Sequence, residues 1–126
     1  MASQPHNRPQ YFLSDTLALE TLSATTQLIP SSSSRPFRVL GIDCKLVFAS
    51  SPTGTALLTG SLALAGISSL AAAILGASDE DKIIAVATLP SLPITPVTGA
   101  QSLTVGTALS GGSAIVRFVT WGYFIG

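Results

Sequence analysis

Residues Ala114 to Ile125, AIVRFVTWGYFI, constrain the fold more than any other stretch of the chain. They crowd β-branched and aromatic side chains together, which cost rotamer freedom in a helix and fit a pleated strand. Alternation divides the run into two faces. Ile115, Arg117, Val119, Trp121, Tyr123 and Ile125 share one; Val116, Phe118, Thr120, Gly122 and Phe124 share the other. Both are largely apolar, so this strand is expected to be covered on both sides. Just before it, Ser110-Gly111-Gly112-Ser113 offers two residues that accept positive φ, as a tight antiparallel turn requires. With Gln101 to Leu109 as the first arm, the sequence predicts a closing β-hairpin.

What covers such a strand depends on how much charge the chain has for its surface. It has little. Six basic and six acidic residues in 126 give zero net charge, and only 10% of residues are charged, against about 25% in ordinary globular domains. None lies between Leu46 and Ser78, and none between Ile83 and Val116. A soluble monomer covers itself with charge, so much of this surface is expected to face protein or lipid. The length suits one domain able to bury a core without disulfides, and a single cysteine excludes an internal one. We read residues 1–14 as an N-terminal arm and 15–126 as a single β-sandwich domain. The arm, with Arg8 and His6 as its candidate cations, resembles neither a secretory signal nor a basic nucleic-acid-binding arm.

Other strands are legible by the same alternation. Asp15 to Ile29 leans towards strand, broken near Ser23. Phe37 to Ala49 is the clearest, with Leu40, Ile42, Cys44, Leu46 and Phe48 expected on the buried face and Gly41, Asp43 and Lys45 opposite. Ser50 to Gly54 reads as a turn and Thr55 to Gly66 as a glycine-weakened strand. Ser68 to Gly76 reads as a short capped helix, Asp79 to Lys82 as a loop, and Lys82 to Leu89 as a strand. The prolines of Pro90 to Pro96 mark an extended connection. The sum is an all-β, antiparallel sandwich or jelly-roll-like barrel of about six to eight strands with one short helix.

No catalytic pattern emerges. His6 and Cys44 are single residues of their kind and make no metal site; Cys44 reads as a small core hydrophobe. Asp79, Glu80 and Asp81 read as a solvated loop, and Asp43 with Lys45 or Arg117 as a sheet-face ion pair. The serines lack a nucleophile elbow and a histidine partner, and Ser50 to Thr55 lacks the lysine of a phosphate loop. We expect no enzyme activity, no cofactor and no metal. Trp121, Tyr123 and Phe118 would suit stacking on bases or sugars, but no cluster of cations surrounds them in sequence, so core packing or a subunit contact is the expectation. Thr55 to Gly76 is 22 uncharged residues, long enough for a membrane helix. Its serines, threonines and glycines, and the lack of flanking cations, disfavour that alternative.

The order of features resembles that of small virion proteins of the single jelly-roll type. A polar arm leads to a first strand, then RPFRVLGIDCKLVF (Arg35 to Phe48) and SPTGTA (Ser51 to Ala56), a short mid-chain helix, and a final aromatic strand VRFVTWGYF (Val116 to Phe124). The resemblance implies a non-catalytic coat or other virion component that assembles with copies of itself, and with other virion proteins, in a virus or phage particle. The lack of a basic arm departs from many coat proteins and argues against nucleic-acid binding through such an arm. The residues expected at contacts between copies are Tyr11 and Phe12, Leu92 and Ile94, and Trp121 and Tyr123. The alternatives are the membrane helix over 55–76 and an aromatic-lined binding module.

Overall fold

The computed structural model describes residues 9–29, 35–60, 62, 66–77, 80–88 and 96–125. Its elements are β1 (Gln10–Leu13), β2 (Leu17–Ala18), β3 (Thr25–Ile29), β4 (Phe37–Thr53), β5 (Thr55–Gly60), β6 (Ser69–Ala71), α1 (Ala72–Ala77), β7 (Ile83–Thr88), β8 (Gln101–Thr107) and β9 (Gly111–Phe124). The final run is a strand, and its alternation is realised: Ala114, Val116, Phe118 and Thr120 are buried, while Ile115, Arg117, Val119 and Trp121 are half-buried on the opposite face.

Two antiparallel sheets pack against each other. The first runs β1-β9-β4-β7, with β2 also on β9; the second runs β3-β8-β5-β6. With β1 and β2 taken as one interrupted edge strand, this is the strand order of an eight-stranded jelly roll. No strand is shared between the sheets. The barrel alternative is therefore not met: the edges stay open because edge strands of two to six residues cannot carry continuous pairing around both corners.

The expected closing hairpin does not form. β8 pairs with β3 and β5, and β9 pairs with β1, β2 and β4. Consecutive in sequence, the two strands lie in opposite sheets. The connection spends its donors elsewhere, Leu109 N–H on the Leu19 carbonyl at 3.0 Å and Ser110 N–H on the Thr53 carbonyl at 3.0 Å. Gly112 does take positive φ, but the space it needs is against the Ser50 and Ser51 carbonyls. The physical cause is burial: Leu103 and Val105 of β8, in one sheet, and Val116 and Phe118 of β9, in the other, belong to the same core. Edge-to-edge pairing in one sheet cannot provide that.

β4 is longer than expected. It runs through the predicted Ser50–Gly54 turn to Thr53 and passes to the second sheet at Gly54, which has positive φ. Irregularities between Val39 and Gly41 and between Leu46 and Phe48 shift its faces. Ile42, Cys44 and Leu46 are buried as expected, but Leu40 is only half-buried and Phe48 turns outward, 43% exposed. Each extra residue in one strand moves everything beyond it to the other face.

Elsewhere the chain breaks at Ser23, which has φ 69°. The strand beginning at Thr55 stops at Gly60, and Ser69–Ala71 forms β6 before α1 begins. The stretch 55–76 thus holds two strands and most of a short helix, not one span. Among the described residues no helix is long and apolar enough to cross a membrane. β7 forms where expected. Four residues of the expected arm, Gln10–Leu13, pair with β9 as an edge strand. Ser14 then clamps that edge: its Oγ accepts from Phe118 N–H at 2.9 Å and its own N–H donates to the Phe118 carbonyl at 2.9 Å.

Candidate functional site

Pairing register sets which side chains share the outer face of the first sheet, because directly opposed residues point the same way. Tyr11 stands opposite Trp121, Trp121 opposite Gly41, and Gly41 opposite Thr88. The next row is Leu13, Val119, Asp43 and Val86; the row after it is Arg117, Lys45 and Ile83. Ile115 and Phe48 lie beyond, and at the other end Tyr123 faces Arg38.

This face collects what the chain leaves uncovered. Eight large hydrophobics are exposed among the described residues, and five of them, Tyr11, Leu13, Phe48, Ile83 and Val86, sit here. The outer face of the second sheet is different. Thr25, Thr104 and Thr59 form one row across it, with the Thr25 and Thr104 hydroxyls 3.0 Å apart, and Gln27 and Ser102 form the next. No charged residue occurs in β3, β8, β5 or β6. One side of the sandwich is therefore neutral and mostly hydroxylic, with Leu57 exposed on it; the other is apolar with charges set into it.

Those charges are not paired as the sequence suggests. Lys45 stands directly opposite Arg117, and like charges at opposed positions are destabilising. Arg117 Nε is buried without a hydrogen-bond partner. Asp43 lies one row away. Burial among Val119, Val86 and the strands pushes its carboxyl above the usual range, and Lys45 draws it back in part. Behind it Cys44 is fully buried; loss of solvation, with Asp43 adding, pushes its thiol up to about 12. A thiol so placed stays protonated at neutral pH and is chemically inert.

Trp121 is fixed by the absence of a side chain. A Cβ on Gly41 would overlap its six-membered ring at Cζ2, 2.6 Å from Cη2 and 2.7 Å from Cε2. A point in contact with Cζ2 and so near both neighbouring atoms lies over the ring face, not at its edge. The indole thus lies face-on over the Gly41 backbone and is half-buried.

Of the residues expected at contacts between copies, Tyr11, Trp121 and Tyr123 come together on this outer face. Phe12 does not; it is opposite Thr120 and turns inward, its ring 5.1 Å from Phe37 and 6.1 Å from Phe124. Leu92 and Ile94 lie outside the described residues. Missing from the expectation are Arg38, which the register places opposite Tyr123, and the pairing of Lys45 with Arg117 two rows from Trp121, although β4 and β9 are far apart in sequence. The alternation of these two strands holds the signal, but only their pairing, with the irregularities of β4, makes it readable. Among the described residues no three His, Cys, Asp or Glu side chains gather as for a metal ion, and no pocket is present.

The fold and this face define an antiparallel β-sandwich of jelly-roll order with one apolar outer surface that carries charges of both signs. No protein-family model matches the chain, and no curated protein matches it.

Proposed function

We propose that this chain is a non-catalytic structural protein that assembles with copies of itself, as a coat or other component of a virus or phage particle. The observation that carries this reading is the outer face of the first sheet. Leu13 at 64%, Phe48 at 43%, Ile83 at 45% and Val86 at 44% stay exposed there, in a chain with only 10% charged residues to keep it dissolved. Contiguous apolar surface of this kind marks a contact site. Covering it with a neighbouring copy is worth about 25 cal/mol per Å² of apolar area, and a stable contact buries roughly 1,600 Å² in total. The jelly-roll order supports the virion reading, since viral shells use it, although lectins and cupins use it too. The hydroxylic face of the second sheet would then remain in contact with water.

Light scattering and electron micrographs of the purified chain test the proposal. Assemblies of uniform size are expected at micromolar concentration, and Leu13→Lys together with Val86→Lys is expected to shift them towards monomer. A wild-type protein that stays monomeric overturns it.

A further inference from the structure

We infer that two copies of the chain stack the outer faces of their first sheets about a two-fold axis that crosses the strands between Asp43 and Lys45, so that each Asp43 lies against the Lys45 of the other copy. The inference rests on the assembly reading and deepens it by naming the surface, the axis and the residues that meet.

Charge order supplies the first argument. Asp43 and Lys45 stand in adjacent rows on one face of β4. A strand with opposite charges at alternate residues becomes complementary to itself once it is turned end for end. A two-fold axis between the two rows does this, and it sets a carboxylate on an ammonium twice. Opposed charges of this kind fix register as well as partner. Within one copy both groups are badly placed. Lys45 faces Arg117, like on like, and burial already raises the Asp43 carboxyl. In the stacked pair the second copy's Asp43 comes against Lys45 and one strand away from Arg117. At the rims, Asp15 follows Ser14, whose N–H bonds the Phe118 carbonyl beside Arg117, and Asp81 bonds the Leu46 carbonyl at 2.6 Å beside Lys45. Carboxylates thus flank the cation pair. A face of mixed sign with no excess of either suits a copy of itself better than a charged polymer.

Size and polarity supply the second. The same axis lays the Trp121–Gly41 row over the Ile115–Phe48 row of the other copy. Phe48, exposed although apolar, then rests on the indole above Gly41, where the sheet has no side chain of its own. At one edge the exposed Tyr11 comes over Ala18, the small residue that stands opposite Ile115. At the other edge Val86 meets Ile83. Four of the five large hydrophobics exposed on this face are covered in this way. Stacked sheets pack about 10 Å apart with their strands within about 30° of each other, as an axis across the strands allows. From the Gly41 row to the Phe48 row the four strand positions measure roughly 500 Å² per copy. The ends of β4 and β9 beyond them bring the face towards the ~600 Å² per partner at the low end of specific interfaces. A contact of this symmetry closes at two copies, so larger assemblies are built from the dimer through other surfaces.

Sedimentation of the full-length protein over a range of concentrations reads the contact. The species that dilution releases from wild-type assemblies before monomer is expected to be a dimer. Lys45→Asp sets carboxylate against carboxylate between copies, although within a copy it gives Arg117 an opposite charge. It is expected to weaken the dimer about 10- to 100-fold. Asp43→Lys is expected to do the same. An equimolar mixture of the two variants is expected to recover dimers with one chain of each kind, because the carboxylates of one then meet the ammoniums of the other. The double variant Asp43→Lys with Lys45→Asp is expected to dimerise by itself, and it carries the test if Asp43→Lys alone does not fold. Trp121 is the only tryptophan, and its emission is expected to shift to the red as wild-type dimers separate. Assembly that Lys45→Asp leaves unchanged overturns the inference, as does failure of both the mixture and the double variant to recover dimers. Either result leaves the assembly reading standing through another surface. A wild-type protein that stays monomeric at micromolar concentration overturns both.

Discussion

The indole of Trp121 lies face-on over Gly41, its cross-strand neighbour, with Cη2 and Cε2 only 2.6 and 2.7 Å from where a Cβ would sit. Glycine is required here by space, since its φ is not among the positive ones. Gly41→Ala must lift the ring off the sheet. Overpacking of this kind costs about 1–3 kcal/mol. Urea denaturation is expected to show that loss, and the tryptophan emission to shift towards that of a water-exposed indole.

Ser14 holds the interrupted edge strand by accepting from Phe118 N–H and bonding its carbonyl in turn. Ser14→Ala leaves a buried N–H with nothing to bond, at a cost of about 1–3 kcal/mol. The same denaturation measurement checks it, and hydrogen exchange at Phe118 is expected to quicken.

Thr120 presents the opposite case. It is fully buried between Phe12 and Ile42 in the register, and its Oγ1 has no hydrogen-bond partner. Thr120→Val keeps the shape and removes the stranded hydroxyl, so stability is expected to rise by about 1 kcal/mol. A loss of that size would show that the hydroxyl is bonded in solution.

Asp43 sets a pH dependence. Burial raises its carboxyl above the unfolded value, with Lys45 opposing in part, so the folded chain holds that proton more tightly than the unfolded one. The contribution to stability is then largest at acid pH and falls as pH rises from about 4 through the raised value. Asp43→Asn is expected to be the more stable protein at neutral pH and to lose that advantage as pH falls below 4. Melting curves of both proteins across pH 3 to 7 measure the difference, and parallel curves would count against it.

Much of the fold is legible in the chain of residues alone. The strand-forming runs at Phe37, Thr55, Lys82, Gln101 and Ala114 are strands, because alternation with a period of two is a local property. Ser23 breaks its segment for the same local reason. The departures have non-local causes. Phe48 reads as a core residue because an extra residue in β4 is invisible without its partner strand. Two glycines suit a tight turn and so suggest a closing hairpin, yet the sheets need β8 and β9 on opposite sides of the core. The helix at Ser68 loses its first residues to β6, whose partner is β5. At the candidate site, Tyr11, Trp121 and Tyr123 are visible as aromatics; their gathering on one face, with Arg38 opposite Tyr123, is not.

By itself the sequence determined that this chain is a β protein, poor in charge and rich in apolar side chains. Those are consequences of side-chain shape and solvation, residue by residue. Only the tertiary structure decided which strands share a sheet, and so which side chains share a face. Pairing between residues as distant as Tyr11 and Trp121, or Lys45 and Arg117, follows from burying the inner side of β9, Ala114, Val116, Phe118 and Thr120, against the other sheet. That choice depends on the whole core and is written in no single stretch of the chain.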